Sequence, residues 1–116
     1  MNLDRIDPGP RMSKAVVHGD TVYTAGFVSS DTTLGVTGQT ANVLAQIDTV
    51  LAAAGSDRSR MLRVNIWLDD IATFDQMNSA WDAWIPAGQT PGRATVESKM
   101  AGNNILVEIM VIAAKN

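Results

Sequence analysis

Apolar and polar positions change period several times along the chain. Ala15-Val16-Val17 and residues 21–28 are β-type runs split by His18-Gly19-Asp20, where glycine supplies the positive φ of a tight hairpin turn. Residues 29–38, rich in Ser, Asp, Thr and Gly, read as a loop. From Gln39 to Ala54 the period is helical: Leu44, Ile47, Leu51 and Ala54 recur at three- and four-residue steps. Thr37 is placed to cap this helix and Gly55 to end it. Leu62, Val64, Ile66 and Leu68 then alternate with Arg63, Asn65 and Trp67, which is strand periodicity. A second helix follows, with Thr73 and Gln76 as a capping box and Ile71 as a staple. Phe74, Met77, Trp81, Trp84 and Ile85 hold its apolar face until Pro86 stops it. Residues 93–100 and 105–113 are two further strands, joined at Ala101-Gly102-Asn103-Asn104. The order strand, strand, helix, strand, helix, strand, strand predicts an α+β sandwich with two helices on one sheet face.

The last strand changes the picture. Ile105, Val107, Ile109 and Val111 point one way, while Leu106, Met110 and Ile112 point the other with Glu108 among them. A strand that is apolar on both faces must be covered on both. Two helices cover one face, and another copy of the chain is the simplest cover for the other. A homo-oligomer with its sheets turned inward is therefore expected.

Composition narrows the classes. The 116 residues contain no internal repeat or linker-like stretch, which predicts one domain over residues 1–116. The apolar share of 46% with 18% charged residues is ordinary globular usage. A net charge of -3 without a basic cluster gives no footing to a nucleic-acid or anionic-membrane binder. Zero cysteines exclude disulfides and thiol nucleophiles, and a single histidine, His18, leaves no multi-histidine metal site or Ser-His-Asp triad. Asp4, Arg5 and Asp7 interrupt the place of a signal peptide, so a cytoplasmic protein is expected.

Glu108 is the sharpest anomaly, since an ionised carboxylate on an apolar strand face costs several kcal/mol by order of magnitude unless it is paired. Either it reaches the rim or an ion pair for structural reasons, or it stands beside a pocket for acid/base work. Arg93 opens the neighbouring strand after the loop of residues 87–92, and its planar fork suits a small carboxylate. On its own it equally fits an ordinary surface arginine. A hairpin across Gly102-Asn103 sets Glu97 opposite Glu108 and Thr95 diagonal to it, which puts Arg93, Thr95 and Glu108 on one sheet face. Asn78, one turn before Trp81, reads as a polar residue at the edge of the apolar stripe. Trp67, Trp81 and Trp84 read as core, Asp69-Asp70 as a solvated turn and His18 as exposed.

The chain resembles a known family in Gly9-Pro10, Asp20 through Gly26, Gln39, Ala52-Ala53-Ala54-Gly55-Ser56 and Met77-Asn78-Ser79-Ala80-Trp81. Pro91-Gly92-Arg93-Ala94-Thr95-Val96-Glu97 and Val107-Glu108-Ile109 are the most specific stretches. Together they look like the RidA (YjgF) family of reactive-intermediate deaminases, over nearly the whole chain. The resemblance implies a chorismate-mutase-like α+β fold and a homotrimer with three ligand clefts between subunits. It implies hydrolysis of enamines and imines, such as 2-aminoacrylate, to 2-oxo acids and ammonia, with no cofactor and no metal. By resemblance Arg93 holds the substrate carboxylate and Glu108 positions the attacking water. Thr95 stands in the place of a common cysteine whose backbone carbonyl helps hold that water; Gly26 matches a backbone contact to the substrate nitrogen, and Asn78 an asparagine near the cleft.

Four departures point to a branch other than the best-characterised 2-aminoacrylate deaminases. Met12 aligns with a cleft tyrosine and Ala25 with a serine, the loop before Arg93 is shorter, and Thr95 replaces the cysteine. An alternative from another class is a non-catalytic protein that binds or senses small carboxylates, such as 2-oxo acids, in the same clefts. RNA cleavage or inhibition of translation, an older idea for the family, has least support from an acidic chain.

Overall fold

Branched residues at every second position carry two long strands into the centre of the fold. In the computed structural model, which describes residues 2–116, β5 (Met61–Leu68) pairs antiparallel with β7 (Val107–Ala114). Val64, Ile66 and Leu68 meet Val111, Ile109 and Val107 in register, and all six are buried. The remaining strands are β1 (Leu3–Pro8), β2 (Ser13–His18), β3 (Thr21–Thr24), β4 (Phe27–Val28) and β6 (Gly92–Glu97). They form one seven-stranded mixed sheet in the order β1-β2-β3-β7-β5-β6, with β4 also paired to β7. Among the described residues β5 and β6 pair parallel and the other pairings are antiparallel.

Helix α1 (Val36–Ala53) packs against β7 and β4, and α2 (Phe74–Trp84) packs beside α1. Val43, Leu44, Ile47 and Leu51 of α1 and Met77 and Trp81 of α2 share one core cluster with the inward rows of β5 and β7. Each such aliphatic side chain contributes roughly 1.5–3 kcal/mol by leaving water. The fold is α+β, with two helices over one face. The other face shows Glu108, Met110 and Ile112 half-buried, Trp67 half-buried beside Glu108, and Tyr23 exposed.

Several local expectations differ from this structure, each for a physical reason. The strand β1 is absent from the sequence reading because its Asp4, Arg5 and Asp7 break any apolar alternation, which an exposed edge strand tolerates. The run over residues 21–28 divides at Ala25-Gly26. The Ala25 N–H donates to Lys14 O (2.9 Å) while Thr24 Oγ1 accepts from the Val111 N–H (2.9 Å), so β3 stays with β2 and β4 continues along β7. Thr37 does not cap α1; its hydroxyl donates to Gln76 O in α2 (2.9 Å), and Gly35 is the capping residue. Gly55 ends the helix at φ +80°, as the periodicity required.

A register shift between Met61 and Arg63 turns Met61 inward and leaves Leu62 exposed, reversing its expected direction. Thr73 is the N-cap residue of α2, but its hydroxyl donates back to Asp70 O (2.6 Å) and makes no cap bond; Asp70 caps the preceding turn, accepting from the Ala72 N–H (2.9 Å), and Ile71 is exposed. The largest correction concerns the last two strands. β6 and β7 do not form a hairpin; β5 lies between them, so residues 98–106 cross over it. That crossover is tied down by Gln39, fully buried in α1. Its Nε2 donates to Asn104 O (2.9 Å) and Leu34 O (3.0 Å), and its Oε1 accepts from the Leu106 N–H (3.0 Å).

Candidate functional site

With β5 inserted, the expected grouping of Arg93, Thr95 and Glu108 on one face does not occur. Arg93 pairs with Val64 and Thr95 with Ile66, on the helix-covered side of the sheet. Glu108 pairs with Trp67 and Val28 and points to the open side. The side-chain period of two makes this unavoidable, because β7 presents Val107 and Ile109 inward and therefore Glu108 outward. The candidate residues thus form two groups.

The first group surrounds Arg93. Its Nη1 donates to Asn78 Oδ1 (2.8 Å), and its Cζ lies 5.1 Å from the Trp81 ring centroid and 5.7 Å from that of Phe74. Among the described residues no carboxylate is ion-paired to it. Burial lowers the pKa of the guanidinium, while Asp82 acts in the opposite direction. A half-buried guanidinium with no ion pair can receive a planar anion, since it has five N–H donors and only one is engaged among the described residues. On the same strand the Thr95 hydroxyl oxygen is buried without a hydrogen-bond partner among the described residues.

The second group surrounds Glu108, which is half-buried rather than fully buried. Its side chain makes no hydrogen bond or ion pair among the described residues. Gly26 is packed against it: a Cβ at position 26 would collide with Oε2 and stand 3.0 Å from Cδ. The absence of a side chain at 26 is therefore what lets the carboxylate lie along this backbone. One cavity of about 350 Å³ places Trp67, Lys99 and Met100 around Glu108. Another of about 450 Å³ is lined by Met12, Ala25 and Gly26, with Met12 64% exposed at its edge. A carboxylate beside open space and a free backbone segment can orient water and move a proton.

Trp67 therefore belongs to the Glu108 surroundings, whereas Trp81 and Trp84 pack with the helices as expected. The sequence reading missed Phe74 as a neighbour of Arg93; its signal was the i, i+4, i+7 spacing of Phe74, Asn78 and Trp81 on one helix face. His18 is exposed at the end of β2. Among the described residues no three His, Cys, Asp or Glu side chains gather as a metal site, and no helix is long and apolar enough to cross a membrane.

Comparison with known proteins matches residues 3–115 to the family model described as endoribonuclease L-PSP. The RutC family protein YoaB of Escherichia coli is 43% identical over 114 residues, covering 98% of this chain and 99% of that protein. A RutC family protein of Haemophilus influenzae is 40% identical over 114 residues, covering 97% of this chain and 98% of its own. Among solved structures, NMB1025 of Neisseria meningitidis, a member of the YjgF protein family, superposes with a TM-score of 0.96 at 40% identity, covering 100% of this chain and 97% of that one. A Pseudomonas aeruginosa protein gives a TM-score of 0.96 at 33% identity, covering 99% of this chain and 100% of its own.

Proposed function

The chain belongs to the endoribonuclease L-PSP (YjgF/RidA) family, and from that premise we propose that it is a deaminase of small enamines and imines. It hydrolyses 2-aminoacrylate-like intermediates to 2-oxo acids and ammonia. The observation that carries the reading is the pair of unspent charges on opposite faces of one sheet: among the described residues Arg93 has no carboxylate and Glu108 no cation in an ion pair. Opposite faces cannot close on one small ligand within a chain. They close between chains, Arg93, Thr95 and Asn78 from one protomer meeting Glu108 and Gly26 from the next. Such a head-to-tail contact generates a ring when its rotation closes, and the homotrimer is the ring we propose. The half-buried apolar row of Met110 and Ile112 on the open face supplies area for it.

In this site Arg93 receives the substrate carboxylate in its fork, and the Asn78 amide nitrogen, which makes no hydrogen bond among the described residues, is a second donor. The backbone of Gly26 meets the substrate nitrogen. Tautomerisation through water, which adds a proton at the terminal carbon of the enamine and removes one from nitrogen, gives the imine, whose C2 is already electrophilic, so orientation against one water is the main task. Glu108 and the Thr95 carbonyl hold that water. Its oxygen bonds to C2 while Glu108 takes one proton and passes it to nitrogen, giving the carbinolamine; Glu108 then moves the hydroxyl proton to nitrogen as the C–N bond breaks and C=O forms, releasing ammonia and the 2-oxo acid. Every step uses protein groups and water.

The experiment generates 2-aminoacrylate and other amino-acid imines in situ and follows 2-oxo acid formation. The protein is expected to accelerate hydrolysis, and Arg93→Ala to abolish the acceleration; equal rates for parent and variant contradict the reading. A second reading, binding of 2-oxo acids without turnover, is favoured by the Arg93 group being assembled within a single chain. Saturable 2-oxo acid binding without imine hydrolysis distinguishes it. The family's RNA-cleaving name finds no basic stripe in a chain of net charge -3.

A further inference from the structure

Two arginines of this chain pack on aromatic rings, and they are held differently. The Arg58 guanidinium lies 4.9 Å from the Trp84 ring centroid and is anchored by Asp48, with Nε and Nη2 donating to its two oxygens at 3.0 and 2.6 Å. Its Nη1 donates to Trp84 O (2.9 Å), so each of its three nitrogens donates to the protein. Arg93 has ring contacts without the carboxylate. Its contacts Phe74, Asn78 and Trp81 stand at i, i+4 and i+7 on one face of α2 and are all neutral, while Asp82 of the same helix acts on the cation without forming an ion pair.

Within that face Phe74 is the exposed member. Trp81 is 5% exposed and part of the core, and Asn78 spends its oxygen on Nη1. Phe74 is 39% exposed and stands outside the core cluster, at the first turn of α2. A half-exposed phenyl ring whose centroid is 5.7 Å from Cζ attracts the cation through its quadrupole without engaging any N–H donor. We propose that Phe74 is a positioning residue for Arg93, holding the guanidinium in place so that its free N–H edge receives a carboxylate ligand. The proposal rests on the reading of Arg93 as the carboxylate receptor. A ring fixes a cation without neutralising it; a carboxylate in the same place would consume the donors that the ligand needs, as Asp48 does for Arg58.

The test measures binding of 2-oxobutyrate and of its uncharged amide to the assembled protein by titration calorimetry, in parent, Phe74→Leu and Phe74→Tyr. Leucine keeps an apolar side chain at this half-exposed position, and tyrosine keeps a π face. Phe74→Leu is expected to weaken the acid about two- to fivefold, to leave the amide unchanged, and to be rescued by Phe74→Tyr. Acid binding unchanged in Phe74→Leu, or acid and amide weakened alike, overturns the positioning role while leaving the receptor reading intact. A parent protein that does not prefer the acid over the amide overturns both. A melting temperature for each variant establishes folding, and Phe74→Tyr supplies an independent arm should leucine be poorly tolerated.

Discussion

Glu108 and Arg93 stand on opposite faces of one sheet, because Glu108 pairs with Trp67 while Arg93 pairs with Val64, three positions earlier on the same strand. An odd offset on a pleated strand reverses the face. Activity that needs both groups on one small molecule therefore requires assembly. The expected particle is about three times the 12.4 kDa chain by sedimentation equilibrium. A monomer that turns over imines at dilution would refute the shared site.

The contact between Gly26 and Glu108 gives a second prediction. Gly26 has no left-handed φ, so alanine is tolerated by the backbone, but its Cβ would push the Glu108 carboxylate aside. Gly26→Ala is expected to fold with nearly parental stability and to lose roughly 10–100-fold in turnover, the scale of an ångström misplacement. Steady-state kinetics beside a urea titration checks it, and unaltered turnover would remove Gly26 from the site.

Gln39 links stability to the site through the crossover that delivers Glu108. Gln39→Leu leaves Leu34 O, Asn104 O and the Leu106 N–H without their partner and is expected to cost about 2–4 kcal/mol of stability. Denaturant unfolding measures the loss. An effect below about 1 kcal/mol would mean that water or relaxation replaces the amide.

Acid sensitivity follows from two exposed aspartates. The Ser59 side chain and N–H donate to Asp57, and those of Thr33 donate to Asp31, holding both carboxyls below the ordinary 3.8. A folded-state pKa below the unfolded one contributes stability above the unfolded pKa that is lost as pH falls through the folded one. Stability should therefore decline below about pH 3.8, and the double variant Thr33→Ala, Ser59→Ala should flatten that decline. Parallel acid-unfolding curves for parent and variant would contradict the assignment.

The architecture was legible wherever burial imposes a period. The stripe of Leu44, Ile47 and Leu51 and the alternation of Val107, Ile109 and Val111 name their elements without any structure, since only one face of each meets the core. Strand neighbours were not legible. Nothing local in residues 93–113 tells a hairpin from a crossover over β5, and the wrong choice put Arg93 beside Glu108 when the sheet separates them. Leu62 was misread because a one-residue register shift is silent in a pattern of alternating types. Glu108 was legible as an exception, a charge in an apolar row. The contacts of Gly26 with Glu108 and of Phe74 with Arg93 join residues distant in sequence, and no local pattern announces them.

Mixed assembly tests the shared site most directly. Arg93→Ala and Glu108→Gln, each inactive alone, are unfolded together and refolded in equal amounts, so that both chains enter the same rings. If each site takes its arginine from one protomer and its glutamate from the next, about a quarter of the sites recover both groups and turnover returns to about that fraction of the parent. Mixtures as inactive as the separate variants, with co-assembly demonstrated by native mass spectrometry, would contradict the account.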